Sequence, residues 1–219
     1  MTTPDAPIDS PGDGLYPATY YRRADETDDA EFYSWPRKVV HIDEAAIEAV
    51  SGTYAKLLPQ HGRLLDLMSA WRTHLPAGFV AAEVVGLGMN QAELIDNPQL
   101  TSHLVHDLNR QPTLPFDDAS FDGAMCCVSV QYLTHPKLVF AEVYRVLRPG
   151  APFVVTFSNR CFPTKAVAVW QAAGDLEHMA LVQRYFTASA PWAGVIAQVR
   201  SLPLPDANPL FAVWGRKPT

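Results

Sequence analysis

The sequence predicts an α/β protein with a mostly parallel sheet covered by helices on both faces. Three observations support this: short apolar runs alternate with segments of helical periodicity, most of these runs are followed by polar residues, and proline or glycine separates many elements. Such alternation is typical of parallel strands joined by right-handed crossovers. A chain of 219 residues has the length of one such domain.

The predicted strands are short apolar runs, several rich in β-branched or aromatic residues. They cover Arg63–Leu67, Phe79–Gly86, Leu104–His106, Phe121–Val128, Pro152–Phe157, Val195–Ser201 and Leu210–Gly215. Helices are predicted over 43–58, Asn90–Asp96, Lys137–Leu147 and from Thr164 to about Tyr185. Asp43 is expected to cap the first helix, Pro59 to stop it, and Gly174 to interrupt or weaken the last helical segment.

The chain divides into an acidic, proline-rich arm over residues 1–34 and a single domain over 35–219. The arm has eight acidic and two basic residues, a net charge of -6, which equals the charge of the whole chain. The domain is therefore formally neutral and has no basic stripe, which argues against a nucleic-acid partner and favours a small-molecule acceptor. Aromatic residues in the arm predict that it is attached to the domain surface or forms an active-site lid, and both can hold together.

Other features of the sequence indicate the expected cellular location and whether a metal site is expected. No apolar run approaches the roughly 20 residues that cross a bilayer, and the first residues lack a secretory signal, so a cytoplasmic protein without a membrane partner is expected. Three cysteines are expected to be reduced thiols, and they lack the paired spacing of a structural zinc site, so no metal is expected. The sequence leaves the oligomeric state open.

A series of motifs in the second half of the chain is more specific than these general features. It consists of Asp107-Leu108, Leu114-Pro115-Phe116, Ser120-Phe121-Asp122, the run from Arg145 to Gly150, and Phe153-Val154-Val155. At these residues the chain resembles the class I S-adenosylmethionine-dependent methyltransferases, in particular methyltransferase type 11. The resemblance implies a Rossmann-like, seven-stranded sheet with an antiparallel C-terminal hairpin strand. It also implies S-adenosylmethionine as cofactor and an enzyme acting on a small molecule.

The alternative is a non-catalytic binding module that kept this fold and lost full cofactor recognition. Two departures from the family pattern favour this alternative. After the first strand, Ser69, Ala70 and Trp71 stand where the family has glycines, although Asp66 matches the family acid. After the second strand, Gly88 stands where the family has the acid that binds the ribose, which leaves Asn90 as the nearest polar substitute.

The resemblance implies a cofactor site at the carboxyl ends of the strands, where open α/β sheets bind ligands. Its candidate residues are Asp66, Ser69, Gly88, Met89, Asn90, Asp107, Leu108 and Ser129. Asp107 is expected to accept from the adenine amino group, with the Leu108 backbone beside a ring nitrogen. The other reading of Asp107 is a turn cap.

Acceptor residues are expected at the fourth and fifth strand ends and in the segment before the first strand. Gln131 and Tyr132 are candidates for orienting the acceptor, and His41 is the candidate general base. Candidate acceptor-binding residues are Tyr21, Tyr33, Arg37, Asn159 and Arg160. Arg160 and Lys165 could hold an anionic group of the acceptor, or both could be exposed to solvent.

Overall fold

The structure, a computed structural model, describes residues 12, 14–202 and 207–219. In these residues the helices are α1 (Asp29–Phe32), α2 (Glu44–Leu57), α3 (Gln91–Ile95), α4 (Pro136–Val146), α5 (Ala168–Gln171) and α6 (Asp175–Ser189). The strands are β1 (Arg63–Leu67), β2 (Glu83–Gly88), β3 (Ser102–Val105), β4 (Gly123–Cys127), β5 (Pro152–Phe157), β6 (Ala193–Ser201) and β7 (Leu210–Arg216). Residues 1–11 and 13 of the predicted arm lie outside the described residues.

The seven strands form one sheet in the order β3-β2-β1-β4-β5-β7-β6. The neighbours from β3 to β5 are parallel, and β7 runs antiparallel to both β5 and β6. The predicted seven-stranded, mostly parallel sheet with an antiparallel C-terminal hairpin is therefore confirmed. The strand order reverses between β1 and β4, which places the expected ligand crevice at their carboxyl ends.

Apolar residues pack on both faces of the sheet because side chains alternate along each strand. Leu65 and Leu67 of β1 join the larger core cluster with residues of α4 and α6, whereas Leu64 joins the second cluster with residues of α2. The prediction of helices on both faces is thus confirmed. None of the helices in the described part of the chain combines the length and apolar character needed to cross a bilayer.

Several predicted element boundaries agree with local chemistry. The Asp43 carboxylate accepts from the Ala46 N–H at 2.9 Å and caps α2, as predicted. Pro136 is the first residue of α4, where a missing N–H is tolerated. Asn90, predicted as the start of the following helix, is instead its N-cap and accepts from the Glu93 N–H.

Other predicted boundaries are wrong for identifiable reasons. The helical segment predicted from Thr164 begins only at Ala168. It is interrupted at Gly174, as predicted, because Gly174 is extended and its N–H donates to Glu177 in the first turn of α6. The second strand begins at Glu83 instead of Phe79, since the residues before it form a turn in which the Phe79 N–H donates to Pro76. The three cysteines are free thiols.

Candidate functional site

A cleft opens at the carboxyl ends of β1 to β4, where the strand order reverses. Its cavity has a volume of about 110 Å³. Eleven residues predicted from sequence line it: Tyr33, Arg37, His41, Ser69, Gly88, Met89, Asn90, Asp107, Leu108, Ser129 and Tyr132. A smaller cavity of about 70 Å³ adjoins it and shares His41, Ser69 and Ser129. The structure therefore brings most of the predicted site together.

The cleft contains two residues in the left-handed region of backbone conformation. Met68, directly after β1, has φ 56°, and Val128, directly after β4, has φ 48°. Such angles are unfavourable for side chains other than glycine, and most of all for β-branched valine. Strained backbone clusters at functional sites, so these two residues mark the junction of β1 and β4 as the functional end of the sheet.

Asp66 lies at the end of β1 but points into a buried hydrogen-bonded network. Its Oδ2 accepts from the hydroxyls of Ser69 at 2.6 Å and Thr73 at 2.8 Å. Burial raises the pKa of Asp66 to about 7, against the effect of these two hydrogen bonds. Asp66 lines the smaller cavity, while Ser69 lines both. The family acid therefore holds the loop after β1 in shape.

Gly88, at the end of β2, lies directly under that loop. The Ser69 N–H donates to the Leu87 carbonyl at 2.8 Å, so the chain after β1 continues alongside β2. A Cβ atom on Gly88 would stand 2.1 Å from the Ser69 carbonyl oxygen. No residue with a side chain fits at position 88 with the loop in this path, so the expected acid is excluded by packing.

Asn90 is committed to structural hydrogen bonds. Its amide nitrogen donates to the Tyr33 carbonyl at 2.8 Å and to the Ser34 carbonyl at 3.1 Å. Its amide oxygen accepts from the Glu93 N–H at 3.1 Å. Although Asn90 lines the cleft, these bonds engage both ends of its amide, which attach the arm and cap α3.

Asp107, after β3, presents one free carboxylate oxygen. Its Oδ1 accepts from the Asn109 N–H at 2.8 Å and the Arg110 N–H at 3.3 Å, which is the turn-cap role. Its Oδ2 is buried and has no hydrogen-bond partner among the described residues. Burial is the main cause that raises the pKa of Asp107. A buried acceptor without a donor is costly, so this oxygen fits a ligand N–H group.

The fourth strand end separates two neighbouring candidates. Tyr132 lines the cleft, its hydroxyl accepts from the Phe162 N–H at 2.8 Å, and burial raises its pKa to about 12. Gln131 is fully buried and outside the lining of the cleft, and its amide donates to the Val128 carbonyl at 3.0 Å. The structure therefore brings Tyr132 to the site and not Gln131.

Three predicted acceptor-binding residues also lie outside the cleft. Tyr21 is a buried member of the main core, while Asn159 and Arg160 are exposed beyond β5. Lys165 is fully buried and lies outside the lining of the cleft. Its Nζ is 3.1 Å from Asp29 and 2.7 Å from the Thr27 carbonyl oxygen. The prediction of an anion site at Arg160 and Lys165 is wrong, because the Lys165 ammonium group is already paired with Asp29 of the arm.

A buried ion cluster fastens the arm beside the cleft. Arg23 contacts both carboxylate oxygens of Asp29 at 2.8 and 2.7 Å. The same carboxylate pairs with Lys165 and accepts from the Asn109 amide at 2.9 Å. Asp29 also lines the cleft. The cluster joins the arm to the loops after β3 and β5, which supports the expectation that the arm is attached to the domain.

Arg37 and His41 reach the cleft from the segment between the arm and α2. The Arg37 guanidinium lies 4.3 Å from the Phe32 ring centre and 5.5 Å from that of Phe162. The His41 ring packs edge-on against Phe162 at 5.1 Å. Partial burial, followed by the charge of Arg37, lowers the pKa of His41 from its ordinary 6.5. At pH 7 the imidazole is therefore neutral and can accept a proton.

Nine residues that line the cleft were not among the predicted site residues: Asp29, Met68, Ala70, Leu87, Glu93, His106, Asn109, Val128 and Phe162. Glu93 lies in α3 and accepts from the backbone N–H of Arg37. Burial raises the pKa of Glu93 above its ordinary value. Its position, one turn after the end of β2, is a signal that could have suggested it. Asp29 carries no such signal, since it is one acid among eight in the arm.

Comparisons with known proteins agree with this geometry. A family model described as a methyltransferase domain matches residues 71–155. The match begins at Trp71, within the atypical loop that follows β1. No group of three metal-ligating side chains occurs in the described ranges, 12, 14–202 and 207–219.

Two curated relatives match parts of the chain. The biotin biosynthesis bifunctional protein BioHC of Teredinibacter turnerae is 26% identical over 106 residues, which cover 48% of this chain and 19% of that protein. The methyltransferase phqN of Penicillium fellutanum is 35% identical over 85 residues, which cover 36% of this chain and 26% of that protein. The matched segments thus span about a quarter or less of these relatives.

Among solved structures, a similar one is phosphoethanolamine N-methyltransferase 2 of Haemonchus contortus in complex with S-adenosyl-L-methionine. It aligns with a TM-score of 0.57 at 12% identity and covers 78% of this chain and 52% of that chain. At this identity the likeness concerns the fold alone. Residues 71–155 match a methyltransferase domain, and the fold is similar to that of S-adenosylmethionine-dependent methyltransferases, as the resemblance in the sequence implies.

Proposed function

We propose that the protein is an S-adenosylmethionine-dependent methyltransferase that acts on a small-molecule acceptor. The observation that carries the proposal is Asp107, which lines the cleft at the strand ends and whose buried Oδ2 has no hydrogen-bond donor among the described residues. An adenine amino group is a donor of the required kind. Met89 and Leu108 line the same cleft and offer apolar contacts to a base.

Other residues of the cleft are placed for the methionine part and the sulfur of the cofactor. Ser69 and Ala70 are small and line the cleft beside β1, where backbone can approach the methionine part of the cofactor. Ser129 and Val128 lie across the cleft at the end of β4, beside the place expected for the sulfur. When bound, the cofactor supplies a methyl group already activated by a positively charged sulfur.

The protein then has to align the acceptor and keep water out. Holding two reactants in line supplies roughly 7 to 11 kcal/mol without a dedicated catalytic group. Tyr33, Tyr132 and Phe162 give the cleft an aromatic wall suited to this exclusion. Tyr132 remains protonated at neutral pH because its pKa is about 12, so it can donate a hydrogen bond and does not serve as base. His41 is the proposed base.

The charges of the cleft bear on the acceptor. Asp29, Glu93 and Asp107 are acidic, and Arg37 is the basic residue whose charge is permanent. Lys165 is engaged by the arm, and Arg160 faces solvent. A neutral or cationic small molecule suits this lining better than an anion.

Isothermal titration with S-adenosylmethionine and S-adenosylhomocysteine tests the proposal. Binding at micromolar concentration supports the enzyme, whereas no binding of either compound would favour the alternative of a non-catalytic module. The small cavity is the observation that favours this alternative, because about 110 Å³ lies below the roughly 300 Å³ of ordinary ligand pockets.

Asp107→Asn tests the adenine role. The asparagine oxygen can still accept from the Asn109 N–H, so the turn is kept, but an amide N–H₂ then faces the ligand amino group. We expect the dissociation constant of S-adenosylhomocysteine to rise at least tenfold, as loss of a charge-assisted hydrogen bond costs about 1.5 to 3 kcal/mol. Asp117→Asn, at an exposed position, is the control. Equal affinities of wild type and Asp107→Asn would remove Asp107 from the site.

His41 should titrate below its ordinary pKa of 6.5. An NMR titration of the imidazole signals is expected to give this result, and Arg37→Met is expected to raise the value because a nearby positive charge is removed. With a turned-over acceptor, kcat/KM should fall as the pH drops through that pKa, and His41→Gln should abolish this acidic limb. A titration at or above 6.5 in the wild type would contradict the neutral-base role.

A further inference from the structure

The segment from Tyr33 to His41, here called the strap, lines the cleft through Tyr33, Arg37 and His41 and leaves most of its other side chains exposed. None of its nine residues is buried. Its large apolar side chains face solvent, with exposed fractions of 78% for Trp35, 56% for Val39 and 48% for Val40. Segments with few buried contacts open at low cost in free energy.

The strap is held mainly through its backbone. The Asn90 amide donates to two strap carbonyls, the Trp71 indole donates to the Val39 carbonyl at 2.9 Å, and Glu93 accepts from the Arg37 N–H. A surface ion pair between Lys38 and Asp96 accompanies them. In each of these hydrogen bonds a domain side chain contacts a backbone group of the strap.

Firm anchors flank the strap on both sides. Before it, Asp29 is fixed by the buried cluster with Arg23 and Lys165. After it, Ile42 is buried and Asp43 caps α2. The strap can therefore move between two fixed points. With the strap in place the cavity of about 110 Å³ is smaller than the roughly 300 Å³ or more that ligand pockets usually provide.

Glu93 contacts the strap and also lines the cleft in which a ligand would bind. It lines the cleft together with Gly88, Met89 and Asp107, and one of its oxygens accepts from the strap. Gly88 has no side chain to offer, and the Asn90 amide is already engaged at both ends. Glu93 is thus a carboxylate near the end of β2 that can turn to a ligand, and two oxygens on one carbon match two neighbouring hydroxyl groups.

We propose that Glu93 binds the vicinal hydroxyls of the cofactor ribose, and that in the free protein the backbone of the strap takes this place. The inference rests on the proposed function, since it takes an adenosyl compound as the ligand. Binding then transfers Glu93 from the Arg37 N–H to the ligand, so the Arg37 N–H loses its acceptor while Tyr33 and His41 stay at the cleft. With this assignment Glu93 supplies the carboxylate that binds the ribose, which Gly88 cannot do.

The test compares S-adenosylhomocysteine with its 2′,3′-dideoxy analogue by titration calorimetry in wild type and Glu93→Gln. The wild type is expected to bind the dideoxy analogue at least tenfold more weakly. In Glu93→Gln this ratio should fall below threefold, because glutamine offers one neutral acceptor. The matched control is Glu48→Gln, an exposed position on α2, which should keep the wild-type ratio. Thermal melting of each variant verifies folding.

Hydrogen exchange provides a second readout specific to the strap. Saturation with S-adenosylhomocysteine should speed exchange of the Arg37 amide at least fivefold, although the cleft as a whole becomes occupied. Slower exchange at Arg37 in the complex would overturn the transfer of Glu93 from the Arg37 N–H to the ligand. An unchanged ribose-to-dideoxy ratio in Glu93→Gln, with wild-type binding intact, would overturn the Glu93 assignment alone. No binding of either compound to wild type would overturn the proposed function and this inference with it.

Discussion

Asp29→Ala is expected to destabilise the docked arm by roughly 3 to 5 kcal/mol, as removal of one partner from a buried ion pair does. The change leaves Arg23 and Lys165 buried together without the carboxylate that both contact. Their side chains are 9% and 0% exposed, so water cannot take its place. Limited proteolysis of residues 14–41, together with urea denaturation, measures the effect.

The control for this experiment is Glu31→Ala, because Glu31 is an exposed acid in the same helix. It removes an equal charge from the arm at a surface position and should change stability by less than about 1 kcal/mol. Similar proteolysis rates for the Asp29 and Glu31 variants would contradict a central role for the cluster. A loss confined to the arm would indicate that the sheet folds independently of it.

Asp66→Asn is expected to change how stability depends on pH. The folded pKa of about 7 exceeds the ordinary 3.8, so the unfolded chain ionises first as the pH rises. The stability that protonated Asp66 contributes to the folded state is complete below pH 3.8. It declines between pH 3.8 and 7 and is lost above pH 7. A shift of about 3 units corresponds to roughly 4 kcal/mol.

The asparagine variant carries no charge there and should lack this decline. We expect it to be more stable than wild type at pH 8 and no more stable at pH 4, as measured by urea denaturation at both values. Its amide oxygen can still accept from the Ser69 and Thr73 hydroxyls, so the loop after β1 keeps its path. Parallel pH profiles for the two proteins would show that Asp66 is ionised in the folded state.

The sequence predicted the fold well because each strand carries its own local signal. Runs such as Arg63–Leu67 and Pro152–Phe157 are buried on both faces, and such burial requires nearly continuous apolar residues. Asp43 and Pro136 likewise mark helix starts through local chemistry. Gly174 likewise marks the interruption of the last helical segment, because its backbone is extended there.

The site was predicted less completely, because charge partners lie far apart in the chain. Nothing near Lys165 in sequence indicates that its ammonium group lies 3.1 Å from Asp29. Glu93 was passed over since the family pattern directs attention to position 88. Asp107 was found because it directly follows a predicted strand and the residues after it match the family motif.

The contact between Gly88 and the Ser69 carbonyl changes how the atypical sequence should be understood. Absence of the glycines after β1 and absence of the acid after β2 look like two separate losses, yet one path of the chain accounts for both. Restoring aspartate at position 88 alone would force its Cβ against the Ser69 backbone, at 2.1 Å. An engineer who wants the customary ribose anchor must therefore rebuild the 66–74 loop in the same step.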